Sequence, residues 1–387
     1  MMPNVNRFRF PQELITGFGS LQYVGEKAKA LGNKALIVTS EPLTELGMVD
    51  TLLKSLKESK VEAVVYDKIN TEPYLYHISE GASLYRENNC DIIIGFGGGS
   101  PIDSAKAIGV EVALDCEFKD MCGLNKLISK IVPFIAIPTT AGTGSEVTGF
   151  TIITDQDSNV KMLTASDYLL PDIAICDPEL TISVPKSVTA YTGLDALAHA
   201  IEAYISIKSQ PMTDLLAIEA IRLISKNLRT AWSNGSNIEA RSYMMHAATL
   251  AGACIMNSSV TLVHGMARPI GASFGLPHGM TNGVFLPVVL KFTLPGCIEK
   301  FVNIAEAMGE NIVGLSDLDA AEKGLNSIKK LCTDLNMSRL RDVGVSKNDL
   351  EKLAPKMARD AIDSGSPNNN PRKATEEEII QLYLDSY

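Results

Sequence analysis

The sequence predicts an α/β N-terminal domain with a parallel sheet, over residues 1–183, followed by an all-α C-terminal domain over 184–387. Three observations carry that reading. Short β-branched runs alternate with amphipathic stretches up to about residue 183, the pattern of a parallel sheet covered by helices on both faces. Beyond residue 184 the strand signal stops, and Leu, Ala, Ile and Met recur at three- and four-residue intervals. Finally, glycine-rich loops follow two of the strand candidates, the place where open α/β sheets take their ligands.

In chain order, Lys34–Thr39, Glu62–Tyr66, Asp91–Phe96 and Val132–Ile137 read as buried strands, because each is a near-continuous apolar run. Amphipathic segments near 43–58, 74–88 and 100–113 separate them. The second half reads as helices near 187–206, 211–230, 238–256, 283–308, 317–335, 347–358 and 375–385. Prolines at 185, 211, 277 and 287 and glycines at 235 and 279 punctuate it. There is no internal repeat and no low-complexity linker. The two domains are therefore expected to pack closely, with the cleft between them as the default ligand site.

Composition sets limits. Of 387 residues, 45% are hydrophobic and 21% charged, as in an ordinary soluble protein. The net charge of -10 argues against a nucleic-acid partner. Seven scattered cysteines without a Cys-x-x-Cys pair read as reduced, mostly buried thiols of a cytoplasmic protein. The N-terminus has no apolar signal core. The apolar runs are of strand length, well short of the ~20 residues of a membrane helix, so no membrane partner is expected.

The segment from Asp91 to Ile108 is a strand, a glycine loop and a helix start. Ser100 suits the N-cap, Pro101 the first helical position, and Asp103 the capping-box offset. Gly97, Gly98 and Gly99 allow a ligand close to the backbone, and the helix start offers free N–H groups to a pyrophosphate. Neither Gly-x-Gly-x-x-Gly nor a Walker pattern is present, and a glycine triplet by itself is also what a tight turn over a helix needs. A second loop, Pro138-Thr-Thr-Ala-Gly-Thr-Gly-Ser-Glu-Val-Thr148, follows the next strand. Its hydroxyls suit phosphate, ribose or a carboxamide, and two such loops at consecutive strand ends are harder to dismiss as turns than one.

Asp195 and His199 lie four apart in a helical run, hence on one face. His264 and His278 frame a second stretch, and three of the chain's five histidines fall in these two segments. A lone buried histidine is usually a core residue. One carboxylate with three imidazoles, however, suits a divalent transition metal. His278 stands in Leu-Pro-His-Gly, which reads as a turn. His77 reads as a solvated helix-start residue and His246 as a core or interface residue.

These segments together resemble the iron-dependent (group III) alcohol dehydrogenases, the family of lactaldehyde reductase, 1,3-propanediol dehydrogenase and butanol dehydrogenase. The resemblance runs nearly end to end, from Phe18-Gly19 through Gly97–Lys106, Pro138–Thr148, Thr192–Tyr204 and His264–Gly279 to Asn369-Asn-Pro-Arg372. It implies a metal held by Asp195, His199, His264 and His278, with His264 and His278 at the catalytic position; Arg268 is a further catalytic candidate that the resemblance does not supply. It implies a Rossmann-like N-terminal domain with a dinucleotide on Gly98, Gly99, Ser100, Asp103, Thr139, Thr140, Thr148 and Lys161; Ser40 and Asn70 are further cofactor-site candidates. The implied activity is hydride transfer between a small primary alcohol and nicotinamide C4, with Fe(II), or Zn(II) in its place. A homodimer or higher homo-oligomer is implied as well.

Two departures stand out. Members strict for NAD carry an Asp after the first strand, where this chain has Val38-Thr-Ser40. With Glu41 next and no adjacent arginine, NAD is favoured and NADP tolerated. Arg268 stands where several members have a proton-relaying histidine, and a guanidinium cannot act as a base. It either anchors the helical domain or favours an anionic substrate such as an ω-hydroxy acid. A dehydroquinate-synthase-like lyase on the same scaffold is a further alternative, though no phosphate-clamping basic site is evident. A non-catalytic structural relative is disfavoured by the four retained ligands.

Overall fold

The computed structural model describes residues 5–70, 72–157 and 160–387. The chain divides into two compact units, one of them Arg9–Ser183 and the other made of Val184–Tyr387 with the described residues 5–8.

The first unit contains β1 (Glu13–Thr16), α1 (Val24–Leu31), β2 (Lys34–Val38), α2 (Glu41–Glu45), α3 (Met48–Glu58), β3 (Glu62–Tyr66) and α4 (Leu75–Glu87). It continues with β4 (Ile92–Gly97), α5 (Gly99–Leu114), β5 (Gly123–Leu124), β6 (Phe134–Pro138), β7 (Phe150–Asp155), β8 (Val160–Ala165) and β9 (Ile173–Cys176). Six strands pair in the order β1-β9-β6-β4-β2-β3, and every pairing is parallel. Ile37 sits opposite Ile94, and Ile94 opposite Ile135. Successive residues point to opposite faces. Leu36, Val38 and Ile93 therefore join a core with Ile78 and Ile102 of α4 and α5. Ala35, Ile37, Ile92 and Ile94 join the opposite core, with Val24, Leu52 and Leu56 of α1 and α3. Burial on both faces is why these strands read as continuous apolar runs.

Differences from the sequence reading have local causes. The stretch 43–58 is two helices, divided at Gly47, whose φ of 72° is left-handed. β1, at the sheet edge, and β9, between β1 and β6, are four residues each, too short for a pattern to emerge. β7 and β8 form an antiparallel pair with β5 beside them, a small second sheet that the predicted parallel architecture did not contain.

The second unit is helical: α6 (Lys186–Ile205), α7 (Pro211–Ser233), α8 (Ile238–Asn257), α9 (Leu262–Phe274), α10 (His278–Thr293), α11 (Ile298–Ala307), α12 (Asp317–Asp334), α13 (Lys347–Asp363) and α14 (Glu376–Asp385). The expected helix 283–308 is α10 and α11, separated by a 3-10 turn at Leu294-Pro-Gly296. α9 was not anticipated, because Gly265, Pro269 and Gly271 disguise its period; Pro269 lies inside it. His278 is the first residue of α10 and not part of a free turn. A Cβ at Gly279 would lie 2.6 Å from the Tyr191 carbonyl oxygen, so only glycine lets α10 start against α6. Among the described residues, no single helix is long and apolar enough to cross a membrane.

Candidate active site

In the first unit both glycine loops sit at the C-terminal ends of adjacent parallel strands, β4 and β6. α5 begins at Gly99 with Gly98 as N-cap and no side-chain cap. Ser100 is thus inside the first turn, contrary to the N-cap expectation. Asp103 does not close a capping box either. Its carboxylate accepts from Ser145 Oγ at 2.6 Å and from the Ile152 amide at 2.9 Å, so it braces the second loop. A Cβ on Gly99 would lie 2.9 Å from Thr143 Cγ2, which is how closely the two loops approach. Gly98, Gly99, Ser100 and Thr140 are half-buried at this edge, while Thr139 and Thr148 are buried.

Lys106, unassigned in the sequence reading, holds this region together. It is fully buried and donates from Nζ to the carbonyls of Ser145 (2.7 Å) and Phe150 (2.8 Å) and to Ser145 Oγ (2.9 Å). Burial pushes its ammonium down to about 8, against the pull of Asp103 and Glu146. Burial likewise raises Asp103, with Lys106 opposing. The remaining candidates are more peripheral. Lys161 pairs with Glu72 at 2.9 Å. Asn70 is exposed and accepts from the Glu41 amide at 2.8 Å, supplying the start of α2 with the acceptor that the Ser40 side chain does not provide.

In the second unit α6 carries Asp195 and His199, α9 carries His264 and α10 carries His278. The four side chains converge. Asp195 Oδ1 lies 3.5 Å from His264 Nε2, 3.8 Å from His278 Nε2 and 3.9 Å from His199 Nε2. Donors around a tetrahedral ion with bonds of ~2.1 Å stand roughly 3.4 Å apart. The donor atoms of Asp195, His199 and His264 all lie within 4.8 Å of one another, a group that could hold a metal ion, and His278 Nε2 stands 3.8 Å from Asp195 as a fourth donor. The His199 and His264 rings stack with centroids 4.6 Å apart. Asp195, His199 and His264 are buried, whereas the His278 side chain is 33% exposed and marks the accessible side of the cage.

The electrostatics suit a cation. Burial works against the Asp195 charge, but the three imidazoles hold its carboxyl well below the usual range. Burial pushes His278 down to about 3, against Asp195, so its ring is neutral and free to ligate. Asn282, one turn beyond His278, donates from Nδ2 to Asp195 Oδ1 at 2.6 Å. The same nitrogen lies 3.0 Å from His264 Nε2 and 3.1 Å from His278 Nε2. An amide has two hydrogens for these three acceptors. The cage therefore holds more lone pairs than Asn282 can satisfy, as a metal site requires.

The sequence reading missed Asn282 and Glu202. Both were findable by spacing: Asn282 is four residues after His278, and Glu202 is seven after Asp195 on the same helix face. Glu202 is fully buried and binds His264 Nδ1 through Oε2. Arg268 is on α9, where Nη1 donates to Ser366 Oγ at 3.2 Å and burial lowers its pKa. Asn369, from the tail motif, donates to Ser259 Oγ and the Val260 carbonyl, bracing the link that leads into α9. His77 differs from expectation, and of the two readings of His246 the core one is excluded. His77 is buried, accepting from the Tyr74 amide at Nδ1 (3.1 Å), and His246 is exposed.

Comparison with known proteins places this geometry. The sequence is 41% identical to the 1,3-propanediol dehydrogenase of Klebsiella pneumoniae, over all of this chain and 98% of the relative. It is 37% identical to the NAD-dependent methanol dehydrogenase of Bacillus methanolicus, over 98% of this chain and 99% of the relative. The crystal structure of a 1,3-propanediol oxidoreductase superposes with a TM-score of 0.96 at 40% identity, covering 99% of this chain and 100% of that one. Residues 11–178 match the family "Iron-containing alcohol dehydrogenase", and residues 189–387 match "Fe-containing alcohol dehydrogenase family, C-terminal". With both halves matched in order and relatives aligned across their full length, the chain belongs to the iron-containing alcohol dehydrogenase family.

Proposed function

We propose that Asp195, His199, His264 and His278 hold the catalytic metal of a metal-dependent, NAD(P)-linked alcohol dehydrogenase and aldehyde reductase. The oxidoreductase class and the dependence on iron and a nicotinamide cofactor come with the family. The observation that carries the ligand assignment is the approach of one buried carboxylate oxygen to three imidazole nitrogens within 3.9 Å. Iron(II) is the family's metal, and zinc(II) would bind the same donors as well or better.

When bound, the ion supplies an electrophile for the alcohol or carbonyl oxygen, and the nicotinamide supplies the hydride acceptor or donor. The chain's own residues make that chemistry possible. Asp195 contributes a single negative charge and the histidines none, which leaves a divalent ion net positive. Glu202 restrains His264 from behind, at Nδ1, and Asn282 gathers the donor atoms of Asp195, His264 and His278. His278, the most accessible ligand, lies where the substrate oxygen gains entry. Gly98, Gly99 and Ser100 take the pyrophosphate at the start of α5, with Thr139 and Thr140 beside them. Asp103 and Thr148 shape the second loop, and Ser40, Asn70 and Lys161 extend the dinucleotide site. Arg268 ties α9 to Ser366 near the ligands.

Cytoplasmic residence and self-association into a homodimer or larger assembly belong to the same proposal. Seven free thiols support a reducing compartment. The exposed apolar side chains of Ile207, Met212 and Leu215 near the start of α7 support a self-association face. The test is a panel of small alcohols and aldehydes with Fe(II)-reconstituted protein, run with NAD(H) and NADP(H) in parallel. Turnover that disappears on chelation and returns with Fe(II) is expected. Failure to turn over any alcohol or aldehyde with either nucleotide would overturn the reading.

A further inference from the structure

We infer that Glu202 is a positioning residue that sets the tautomer of His264, leaving its Nε2 lone pair for the metal; this rests on the ligand assignment above. Glu202 is completely buried on α6. Its Oε1 accepts three hydrogen bonds: from the Thr261 amide at 3.0 Å, the Thr261 hydroxyl at 2.6 Å and the Val263 amide at 2.7 Å. Those three donors come from the link and first turn that deliver His264. Its other oxygen, Oε2, contacts His264 Nδ1.

A carboxylate can only accept, so Nδ1 must carry the hydrogen and donate. A neutral ring protonated at Nδ1 has its lone pair on Nε2, and that atom is the one 3.5 Å from Asp195 Oδ1. The buried negative charge also makes the ring a stronger electron donor. Carboxylate–histidine–metal arrangements work in this way, and their loss commonly weakens metal binding by about 10–100-fold. Glu202 does more than orient. With α6 supplying Asp195, His199 and Glu202, one helix contributes two ligands and the group that prepares a third.

The Glu202→Gln substitution separates these roles. The glutamine carbonyl must stay on the Thr261 and Val263 donors, because only an acceptor satisfies them. Its NH2 then faces His264 Nδ1, which has to become an acceptor, and the proton moves to Nε2. Shape and loop contacts are kept while the lone pair is taken from the metal side. Competition titration of the metal-free protein with Zn(II) should show a Kd raised about 10–100-fold, and half-release of the metal should move to higher pH. Asp195→Ala is run alongside. If Asp195→Ala loses the metal and Glu202→Gln binds as wild type at an unchanged release pH, the role of Glu202 is refuted and the ligand set stands. If Asp195→Ala also binds as wild type, the ligand set itself is wrong. Should Glu202→Gln not fold, the 15N resonances of His264 in the Zn(II)-loaded wild type decide. A proton on Nδ1 with Nε2 ligated supports the proposal, and a proton on Nε2 refutes it.

Discussion

Replacing Lys106 by methionine is the sharpest test of how the first unit shapes its two loops. Methionine keeps most of the apolar stem and removes the ammonium. That ammonium has three hydrogens, and three bonds of 2.9 Å or less use all of them. The change leaves two carbonyl oxygens and a hydroxyl short of a donor, each worth roughly 1–3 kcal/mol when buried. It also leaves Asp103 without its compensating cation, although Asp103 keeps Ser145 Oγ and the Ile152 amide. These contributions overlap, so we take about 3–5 kcal/mol as the expected total. Against a domain stability of roughly 5–15 kcal/mol, this is large. In a unit of this size each kcal/mol moves the midpoint by about 2–4 °C, so the Met variant should melt roughly 6–20 °C lower. Because Ser145 and Thr148 belong to the second loop, the Kd for NADH, read by fluorescence titration, should rise as well. Thermal unfolding with and without NADH measures both. A Met variant that melts within about 2 °C of wild type and binds NADH equally would refute the idea that Lys106 pins the loops.

Two further outcomes follow from the geometry. His264→Ala should lose its metal and its turnover while NADH binding stays measurable, since the dinucleotide loops lie in the other unit; stoichiometric metal in the purified variant would refute the assignment. Burial lowers the pKa of His77, which accepts a backbone hydrogen bond at Nδ1 and so works only when neutral. Above the unfolded value of about 6.5 neither state is protonated and pH has no effect through this group. As pH falls below that value, only the unfolded state gains the proton, and stability drops by up to about 1.4 kcal/mol per pH unit until the folded value is reached. Urea midpoints between pH 7 and pH 5 should therefore fall more steeply for wild type than for His77→Gln, whose amide oxygen can accept without titrating; equal slopes would sink this reading.

Some of this was legible without coordinates. β2, β4 and β6 are buried on both faces, and that demand leaves uninterrupted apolar runs, whereas β3 at the sheet edge is only partly buried. Asp195 and His199 declared themselves by a one-turn spacing. α9 stayed hidden, because three helix-breaking residues interrupt a helix that packing stabilises regardless. His77 looked solvated for want of any sequence signal that its ring folds back on the Tyr74 amide.

By itself the sequence determined the order of strand and helix, the two glycine loops and the types of donor offered to a metal, since each follows from local spacing and side-chain chemistry. Tertiary structure alone decided which polar groups share an environment. Nothing local tells Lys106 that the Ser145 and Phe150 carbonyls will close around it, or Glu202 that His264, 62 residues away, will share its proton. Such pairings exist because burial strips water from these groups and leaves them only one another.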